Sequence, residues 1–581
     1  MGVQKAMSIE SMKLVVGISL AILLILLIQN KLRPAVLFVS VAGLYYMLGF
    51  LDFTAWVSAY TNDSLITLML LLCVSLAVEK TILIESCAKF LIGKNYLFSL
   101  CKLGVITTAI SAFLNNTAVV ASFMGIVKHN TSQPPSKLLI PLSYFAIVGG
   151  TITLIGTSTN LIVNSFVIQN GLESLKMFDF LPIGLALSVG MLASLMVFSH
   201  LLPTYKEQPK DLKKHIIALK VLDSSALIGK SVQENRLRNL ESLFLVEIVR
   251  NGVSITPVSH HEVLQKGDEL VFSGDISHIH ILQKFSGLQL DEGYSIDTSA
   301  FVDVIITPTS SLIGQKVKEA NFRSKFDVAI ISVQRGDTFI KKIGDVALQA
   351  GDRLILATGK DFLSRENLSK NFYILSNVQS SKKLNPISSL AVLGAFFSVI
   401  VVSALEFISF TKALLVLLFG LLLFRILSVS EIKRRFAFDI FFIVGSSLAI
   451  TKVLVASGLA EDLAGFVIGI FGQYGVYGSF VGVYLLTLLL TEFITNNAAA
   501  ALAFPIGFAT ATSLGVSPLP FIFAVAYGAS AGFMIPHGYQ THLMVSSLCE
   551  YKIADFIKIG AVVSVVYSVI VLIGVPLVFG F

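Results

Sequence analysis

Charge is scarce in this sequence. Only 14% of its 581 residues are Asp, Glu, Lys or Arg, against about a quarter in soluble domains. Hydrophobic residues make up 55% and the mean hydropathy is +0.81. The apolar excess lies in long blocks on either side of a polar middle. In water such a chain exposes more apolar surface than a soluble protein tolerates, so lipid is its natural solvent. Cysteine is rare as well: Cys73, Cys87, Cys101 and Cys549 lack the spacing of a zinc or redox motif and read as small core residues. The single tryptophan, Trp56, reads as an interface anchor or loop residue. A Walker motif, a GxGxxG loop, a nucleophile–base arrangement and a metal-ligand cluster are all missing, which argues against an enzyme or an ATP-driven pump. A TVGYG-like filter is missing too, which argues against a potassium channel. The net charge of +7 comes from helix ends and the polar middle, not from a basic patch interleaved with aromatics, so nucleic acid is not an expected partner.

What is present is a series of apolar spans. They fall near 13–29, 34–51, 64–78 and 180–202 in the first half, and near 386–407, 412–428, 437–456 and 559–580 in the second. Broken apolar regions at 97–127, 138–168, 475–512 and 519–547 complete roughly ten to twelve crossings of about 20 residues each. The first block, Leu14 to Ile28, follows Lys5 and Lys13 but no small-residue cleavage site follows it, so it reads as a retained helix. Within a membrane, clusters of Gly, Asn, Ser and Thr interrupt a helix. They are tolerated only where the loosened backbone meets protein, water or ligand.

The polar middle runs from Pro203 to Lys383. It is flanked by Lys206, Lys210, Lys213 and Lys214 at one end and by Lys382 and Lys383 at the other, which predicts a cytoplasmic location. It repeats itself. SALIGKSVQE from Ser225, LFLVEIVRNG and LQKGDELVFSG are matched by SSLIGQKVKE from Ser310, VAIISVQRGD and LQAGDRLILATG. The alternating runs read as half-buried strands, and Gly267-Asp268 and Gly351-Asp352 as turns. Each copy resembles the TrkA-C domain, the C-terminal half of the potassium-conductance regulator module. The expected division is 1–202 first membrane half, 203–290 and 291–383 TrkA-C domains, 384–581 second membrane half. These domains are expected either to bind an unidentified small ligand or to brace a dimer.

The membrane halves also repeat. SLAVEK at Ser75 matches SLAITK at Ser447, and FLNNTAVV at Phe113 matches FITNNAAAA at Phe493. GGTITLIGTSTNLIV from Gly149 matches the stretch from Ser530, pairing Gly150 with Gly532, Gly156 with Gly538 and Asn160 with His542. Secondary transporters are often duplicated in this way, with the site where interrupted helices of both repeats meet. The first pair of tips, Asn115-Asn116-Thr117 and Thr495-Asn496-Asn497, offers amides and hydroxyls that both donate and accept. Such tips suit an anion bound by amides, hydroxyls and helix N-termini, next to a hard cation bound by oxygens. Neither tip contains Arg or Lys, so a buried anion needs compensation, which bound sodium supplies. The second pair of loops, Gly156-Thr157-Ser158-Thr159-Asn160 and Gly538-Tyr539-Gln540-Thr541-His542, is expected to give carbonyls and hydroxyls to sodium. Glu492 reads as an orienter of its hairpin, and Glu79, Lys80 and Lys452 as charges reaching an interface.

On these residues the chain is similar to the divalent anion:sodium symporter family, whose signature is a Ser-Asn-Thr tip in each half. Thr491, the TEF run and Pro505 also fit. Ser is replaced by Asn115 and Thr495, the second Thr by Asn497, and the usual Asn of the last loop by His542. An imidazole can titrate near neutral pH, which opens proton coupling as a hypothesis. The resemblance implies an α-helical polytopic protein of two inverted-repeat halves with re-entrant hairpins, carrying an inserted α+β cytoplasmic region. It also implies a homodimer in the cell membrane that works as an elevator. The anion site is then Asn115, Asn116, Thr117, Thr495, Asn496 and Asn497. The Na+ ligands are drawn from Asn116, Gly156, Thr157, Ser158, Asn160, Asn496, Gly538, Gln540, Thr541 and His542. Family members with central TrkA-C domains resemble sulfate transporters, so sulfate is the expected cargo. A dicarboxylate carrier and a membrane sensor of anion supply are the alternatives.

Overall fold

The structure is a computed structural model. It describes residues 9–29, 32–82, 91–128, 130, 132–205, 216–237, 240, 243–274, 282, 284–290, 301–307, 310–335, 338–340, 343–359, 361–365, 368–375, 384–546, 548–549 and 551–581. Cys87, the basic residues Lys206, Lys210, Lys213 and Lys214, and Lys382 and Lys383 lie outside the described residues. The chain divides into two compact units. One is Met1–Pro203, Lys383–His542 and Ile553–Phe581; the other is Thr204–Lys382 and Leu543–Lys552.

The first unit is helical. Its first half contains α1 (Ile9–Gln29), α2 (Pro34–Met47), α3 (Phe53–Tyr60), α4 (Asp63–Glu79), α5 (Tyr96–Ser111), α6 (Asn116–Lys128), α7 (Leu139–Gly150), α8 (Ser158–Gln169) and α9 (Leu181–Val197). Its second half contains α10 (Pro386–Ala404), α11 (Phe410–Leu423), α12 (Val429–Arg435), α13 (Phe438–Ala456), α14 (Leu459–Phe471), α15 (Gly475–Phe493), α16 (Asn496–Leu514), α17 (Leu519–Gly528), α18 (Gln540–Ser546) and α19 (Ile553–Phe579). Among the described residues, seven helical stretches are long and apolar enough to cross a membrane, and six apolar helices are shorter. The shorter ones include α5, α6 and α17, which flank the predicted interruptions. A helix cut in mid-membrane yields pieces below the roughly 20 residues of a full crossing.

Local chemistry sets the helix starts. Asn62 Oδ1 accepts from the amides of Ser64 and Leu65 at the head of α4, and Asn95 Oδ1 accepts from Phe98 at the head of α5. Asn385 caps α10, with Pro386 in its first turn. These side chains satisfy amides that a helix start leaves without partners. Every residue of α7 is buried, as a helix apolar on all sides must be. It packs against α5, α6 and α9.

Two charged side chains near membrane depth are neutralised together. Glu79 and Lys80, at the end of α4, meet α12: Arg435 Nη2 lies 2.7 Å from Glu79 and Lys80 Nζ lies 2.6 Å from Glu431. Glu431 and Arg435 are four residues apart, so they share one face of α12. α3, α12 and α14 are helices that the hydropathy reading does not identify. The first two are short, and α14 starts with the acidic pair Glu461 and Asp462.

The second unit holds two antiparallel sheets. The first comprises β1 (Ile216–Val221), β2 (Leu243–Arg250), β3 (Val253–Ile255), β4 (Glu269–Gly274) and β5 (Leu288–Leu290). The second comprises β6 (Phe301–Ile306), β7 (Val328–Arg335), β8 (Thr338–Phe339), β9 (Arg353–Thr358) and β10 (Phe372–Ile374). Their strand orders, β3-β2-β4-β1-β5 and β8-β7-β9-β6-β10, are the same five-strand pattern. Each has an irregularity at the same place, between Leu245 and Glu247 and between Ile330 and Ser332. The Gly-Asp turns repeat in detail. Gly267 and Gly351 both take positive φ. Asp268 accepts from the amide of Gln265 and from Arg250 through two nitrogens, and Asp352 does the same with Gln349 and Arg335. Each sheet has its own apolar core, and a third cluster of Val246, Val271, Ile331, Ile355 and Ala357 joins the two.

Candidate functional site

Both tips are built alike. In each half a helix ends, a short turn follows, and the next helix begins on the central Asn: Asn116 opens α6 and Asn496 opens α16. Five residues earlier stands a hydroxyl. Ser111 Oγ contacts Asn116 Oδ1 at 2.8 Å and the carbonyl of Ala146 at 2.8 Å. Thr491 Oγ1 contacts Asn496 Oδ1 at 3.2 Å and the carbonyl of Ala529 at 2.6 Å. The tips differ in their caps. Asn115 Oδ1 accepts from the Thr117 amide at 2.9 Å, whereas the side chain of Thr495 makes no capping bond.

The second pair of loops lies at the two breaks. In the first, α7 ends at Gly150 and α8 starts at Ser158. The Thr153 hydroxyl donates to the carbonyl of Ala112 and accepts from the Gly156 amide, while Asn160 Nδ2 donates to the Thr153 carbonyl at 2.9 Å. Gly156 is required by close approach: a Cβ there would stand 2.6 Å from the Gly150 carbonyl oxygen. In the second break, between α17 and α18, Glu492 holds the backbone. Its carboxylate accepts from Phe533 and Met534 on one oxygen, at 3.0 and 3.1 Å, and from Ile535 on the other at 3.0 Å.

Tips and loops are then linked across the duplication. Thr117 of the first tip donates to Gln540 Oε1 of the second loop at 3.3 Å. Asn497 of the second tip accepts from Ser158 of the first loop at 3.0 Å, and Thr159 lies 3.5 Å from the same oxygen. The register that pairs Gly156 with Gly538 pairs Ser158 with Gln540, so these two contacts are images of one another. Asn116 Nδ2 donates to the Tyr539 hydroxyl at 3.0 Å. Asn116, Thr117 and Asn497 of the tips are thus joined directly to Tyr539, Gln540 and Ser158 of the loops. Asn115, Thr495 and Gln540 are exposed, Thr117, Asn497 and Ser158 are half-buried, and Asn116, Asn496, Thr157 and Tyr539 are buried.

Thr541 and His542 are brought together with a different partner. Ser143 Oγ lies 2.8 Å from Thr541 Oγ1 and 2.7 Å from His542 Nδ1, and His542 Nε2 lies 3.0 Å from the Gly532 carbonyl. Both ring nitrogens are engaged, which leaves the imidazole no free lone pair for a cation. Gly156 and Gly538 are buried against the tips. A Cβ on Gly538 would lie 3.0 Å from the Thr491 carbonyl oxygen.

Ser111 and Ser143 are not picked out by the sequence reading, and Tyr539 enters it only as a member of the second loop. The recurring interval Ser111–Asn116 and Thr491–Asn496 is the signal that marks the first. Of the charges near membrane depth, Glu79 and Lys80 are ion-paired, and Lys452 contacts Ser58 at 3.2 Å. Lys452 lines a cavity of about 270 Å³ with Gln169, Asn170, Thr451, Val455 and Ala456, none of them a tip residue.

The sequence model of the citrate transporter family matches residues 23–528 and 400–581. The chain belongs to that family. As a citrate transporter family member it is a multi-pass membrane transporter, and the names of its relatives are those of transport and response proteins rather than enzymes. A Chlamydomonas reinhardtii protein named "Putative sulfur deprivation response regulator" is 28% identical over 86% of this chain and 90% of its own length. An uncharacterized transporter of Synechocystis is 29% identical over 93% of each. Sodium/sulfate cotransporter 1 of Chlamydomonas reinhardtii is 26% identical over 60% of this chain and 41% of its own length.

Proposed function

We propose that this protein is a sodium-coupled symporter of a divalent oxyanion, with sulfate as the first candidate. The observation that carries the reading is the crossed pair of contacts Thr117–Gln540 and Asn497–Ser158 around Tyr539. They draw helix starts at Asn116, Asn496 and Ser158 into one constellation of uncharged side chains. Each helix start carries a partial positive charge and unsatisfied amides, which favour an anion. At Thr495 the side chain leaves the first amides of α16 uncapped, which suits an acceptor brought by the cargo. The Asn115–Thr117 and Thr495–Asn497 tips hold the anion. Asn116 and Asn496, the hydroxyls of Ser111 and Thr491, and the backbone of the Gly156–Asn160 and Gly538–His542 loops supply oxygens for sodium. With neither Lys nor Arg in the tips, the cations offset the anion's charge, and that makes coupling obligatory.

The protein works as a homodimer in the cell membrane, the helical halves around the site moving as an elevator. The central region is two cytoplasmic TrkA-C domains, and their duplicated sheets and repeated Asp–Arg turns support that assignment. The sodium/sulfate cotransporter named above supports sulfate and sodium; the family's description favours a carboxylate cargo instead. A second reading, a membrane sensor of sulfur supply, is favoured by the regulator relative, which aligns over more of the chain than the cotransporter does.

Uptake of labelled sulfate into proteoliposomes, with and without an inward sodium gradient, tests the proposal. Unlabelled thiosulfate, molybdate and succinate compete in parallel. Sodium-driven accumulation blocked by the inorganic oxyanions supports it. Accumulation of succinate but not sulfate moves the cargo to dicarboxylates. Sulfate binding without accumulation favours the sensor.

A further inference from the structure

We propose that the cavity beside Lys452 is an oxyanion site, separate from the tips, which takes free sulfate or phosphate or the phosphate of a lipid headgroup. Lys80 and Lys452 are one residue of the duplicated sequence, by the register that pairs Ser75 with Ser447. Their contacts mirror each other. Lys80, at the end of α4, reaches α12, the short helix before α13. Lys452, one turn before the end of α13, reaches α3, the short helix before α4. The charges do not mirror. α12 presents Glu431 at 2.6 Å from Lys80 Nζ, and the Ile426 carbonyl adds an acceptor at 2.9 Å. α3 contains no charged residue, and Lys452 meets only the Ser58 hydroxyl, at 3.2 Å. Asp52, before α3, caps the Ala55 amide instead. The register also replaces Glu79 by Thr451. One half therefore holds two closed ion pairs, and the other an ammonium with no counter-ion among the described residues. Near membrane depth such a charge is costly, and a bound anion offsets it.

A lysine in this place could instead serve helix ends, because α8 and α13 both finish beside the cavity and a helix C-terminus favours a cation. The end carbonyls are already supplied. The Ser457 and Gly458 amides bond those of Val453 and Val455, and the Ser457 hydroxyl bonds that of Leu454. The Asn170 and Gly171 amides bond those of Phe166 and Ile168. Lys452 bonds none of them. The cavity of about 270 Å³ has room for an oxyanion and several waters. Thr451, only 4% exposed, lines it, and its hydroxyl has no partner among the described residues. Gln169 Nε2 donates to the Leu448 carbonyl at 2.9 Å, while its Oε1 is buried without a partner. The ammonium and the Thr451 hydroxyl donate to the anion, and Gln169 Oε1 accepts from a water carried in with it. The exposed Val455 and Ala456 also line the cavity, which leaves it open to a headgroup as well as to water. α8, 12 residues from Ser158 to Gln169, sets this place about 18 Å from the loop at its other end, so an anion held at the tips does not fill it.

The site needs no sodium, so it stands or falls apart from the symporter reading. The test uses the purified, delipidated full-length protein. Potassium sulfate and potassium phosphate are titrated in sodium-free buffer at constant ionic strength, with thermal midpoint and calorimetric affinity as readouts. In parallel, native mass spectrometry counts phosphatidylglycerol retained per chain from nanodiscs, with phosphatidylcholine nanodiscs as reference. The parent is compared with Lys452→Gln, Lys452→Arg, Thr451→Val and the tip variant Asn116→Ala. Lys452→Gln is expected to weaken the occupant about tenfold, the scale of one charge-assisted hydrogen bond. Lys452→Arg and Asn116→Ala stay near the parent. A sulfate or phosphate effect lost in Lys452→Gln identifies a free anion; a retained phosphatidylglycerol lost in that variant identifies a lipid. A parent that binds none of these probes overturns the proposal. So does binding kept in Lys452→Gln, or lost only in Asn116→Ala. If Lys452→Gln does not fold, parent-like binding by Thr451→Val overturns it.

Discussion

Asn116 donates from Nδ2 to the hydroxyl of Tyr539 at 3.0 Å, across 423 positions of sequence. The hydroxyl thereby ties the first tip to the second loop. Tyr539→Phe keeps the ring and deletes only this junction. Sulfate uptake at low substrate is expected to fall about fivefold, the effect of losing one neutral hydrogen bond at roughly 1 kcal/mol. Tracer uptake normalised to reconstituted protein measures it. Parent-like uptake in Tyr539→Phe would remove the junction from the site.

Gly150 is pressed against the same asparagine. A Cβ at this position would stand 2.5 Å from Asn116 Oδ1 and 2.8 Å from Nδ2. Gly150→Ala is expected to displace the Asn116 amide and abolish most sulfate uptake. Gly394→Ala, where no heavy atom lies within 4 Å of the added carbon, is the neutral control. Size-exclusion profiles check that both remain folded. Equal uptake by the two variants would show that Asn116 need not hold its place.

Glu492 accepts three backbone amides with its two oxygens. Glu492→Gln retains one oxygen and puts an amino group where the other was. At least one buried N–H then loses its acceptor, a loss of about 1–3 kcal/mol. The thermal midpoint in detergent is expected to drop, and more than in a Gln substitution at exposed Glu461, which lies in the first turn of α14. An unchanged midpoint would mean that water or another group replaces the lost oxygen.

Asp268 and Asp352 hold equivalent turns in the two sheets. If the repeats are energetic as well as geometric equivalents, Asp268→Ala and Asp352→Ala should destabilise the second unit by similar amounts. Each takes a carboxylate away from one backbone amide and one arginine, Arg250 keeping Glu262 at 3.0 Å, roughly 1–3 kcal/mol for the unsatisfied donors. Hydrogen exchange of β4 and β9 reads the effect. Loss of protection in one sheet only would show that the turns differ in weight.

Much of this architecture is legible in the sequence, for an identifiable reason. Glycine, asparagine and threonine in mid-membrane force the backbone to find partners, so GGTITLIGTSTN and FITNN announce breaks before any coordinates exist. Duplication doubles the signal. What escapes are contacts made by residues that look ordinary in their own segment. Ser111 and Ser143 lie inside apolar helices, where a serine commonly bonds its own backbone. Tyr539 is one of 15 tyrosines, and nothing in its neighbours reveals that a residue 423 positions earlier will bond it. Helix α12 escapes because its charges hide its membrane role. They become informative only when Glu431 and Arg435 are seen opposite Lys80 and Glu79.

The two breaks are fastened by unequal means. At the first, a lone threonine hydroxyl, Thr153, clips the chain to the carbonyl of Ala112. At the second, the residue in Ala112's place is Glu492, by the register that pairs Asn116 with Asn496, and it grips three successive amides. Releasing the first clip frees two bonds, to the Ala112 carbonyl and from the Gly156 amide, whereas releasing the second frees three at once. Twin segments inherited from a single ancestor have therefore come to be moored by different chemistry, a neutral hydroxyl at Thr153 and a carboxylate at Glu492.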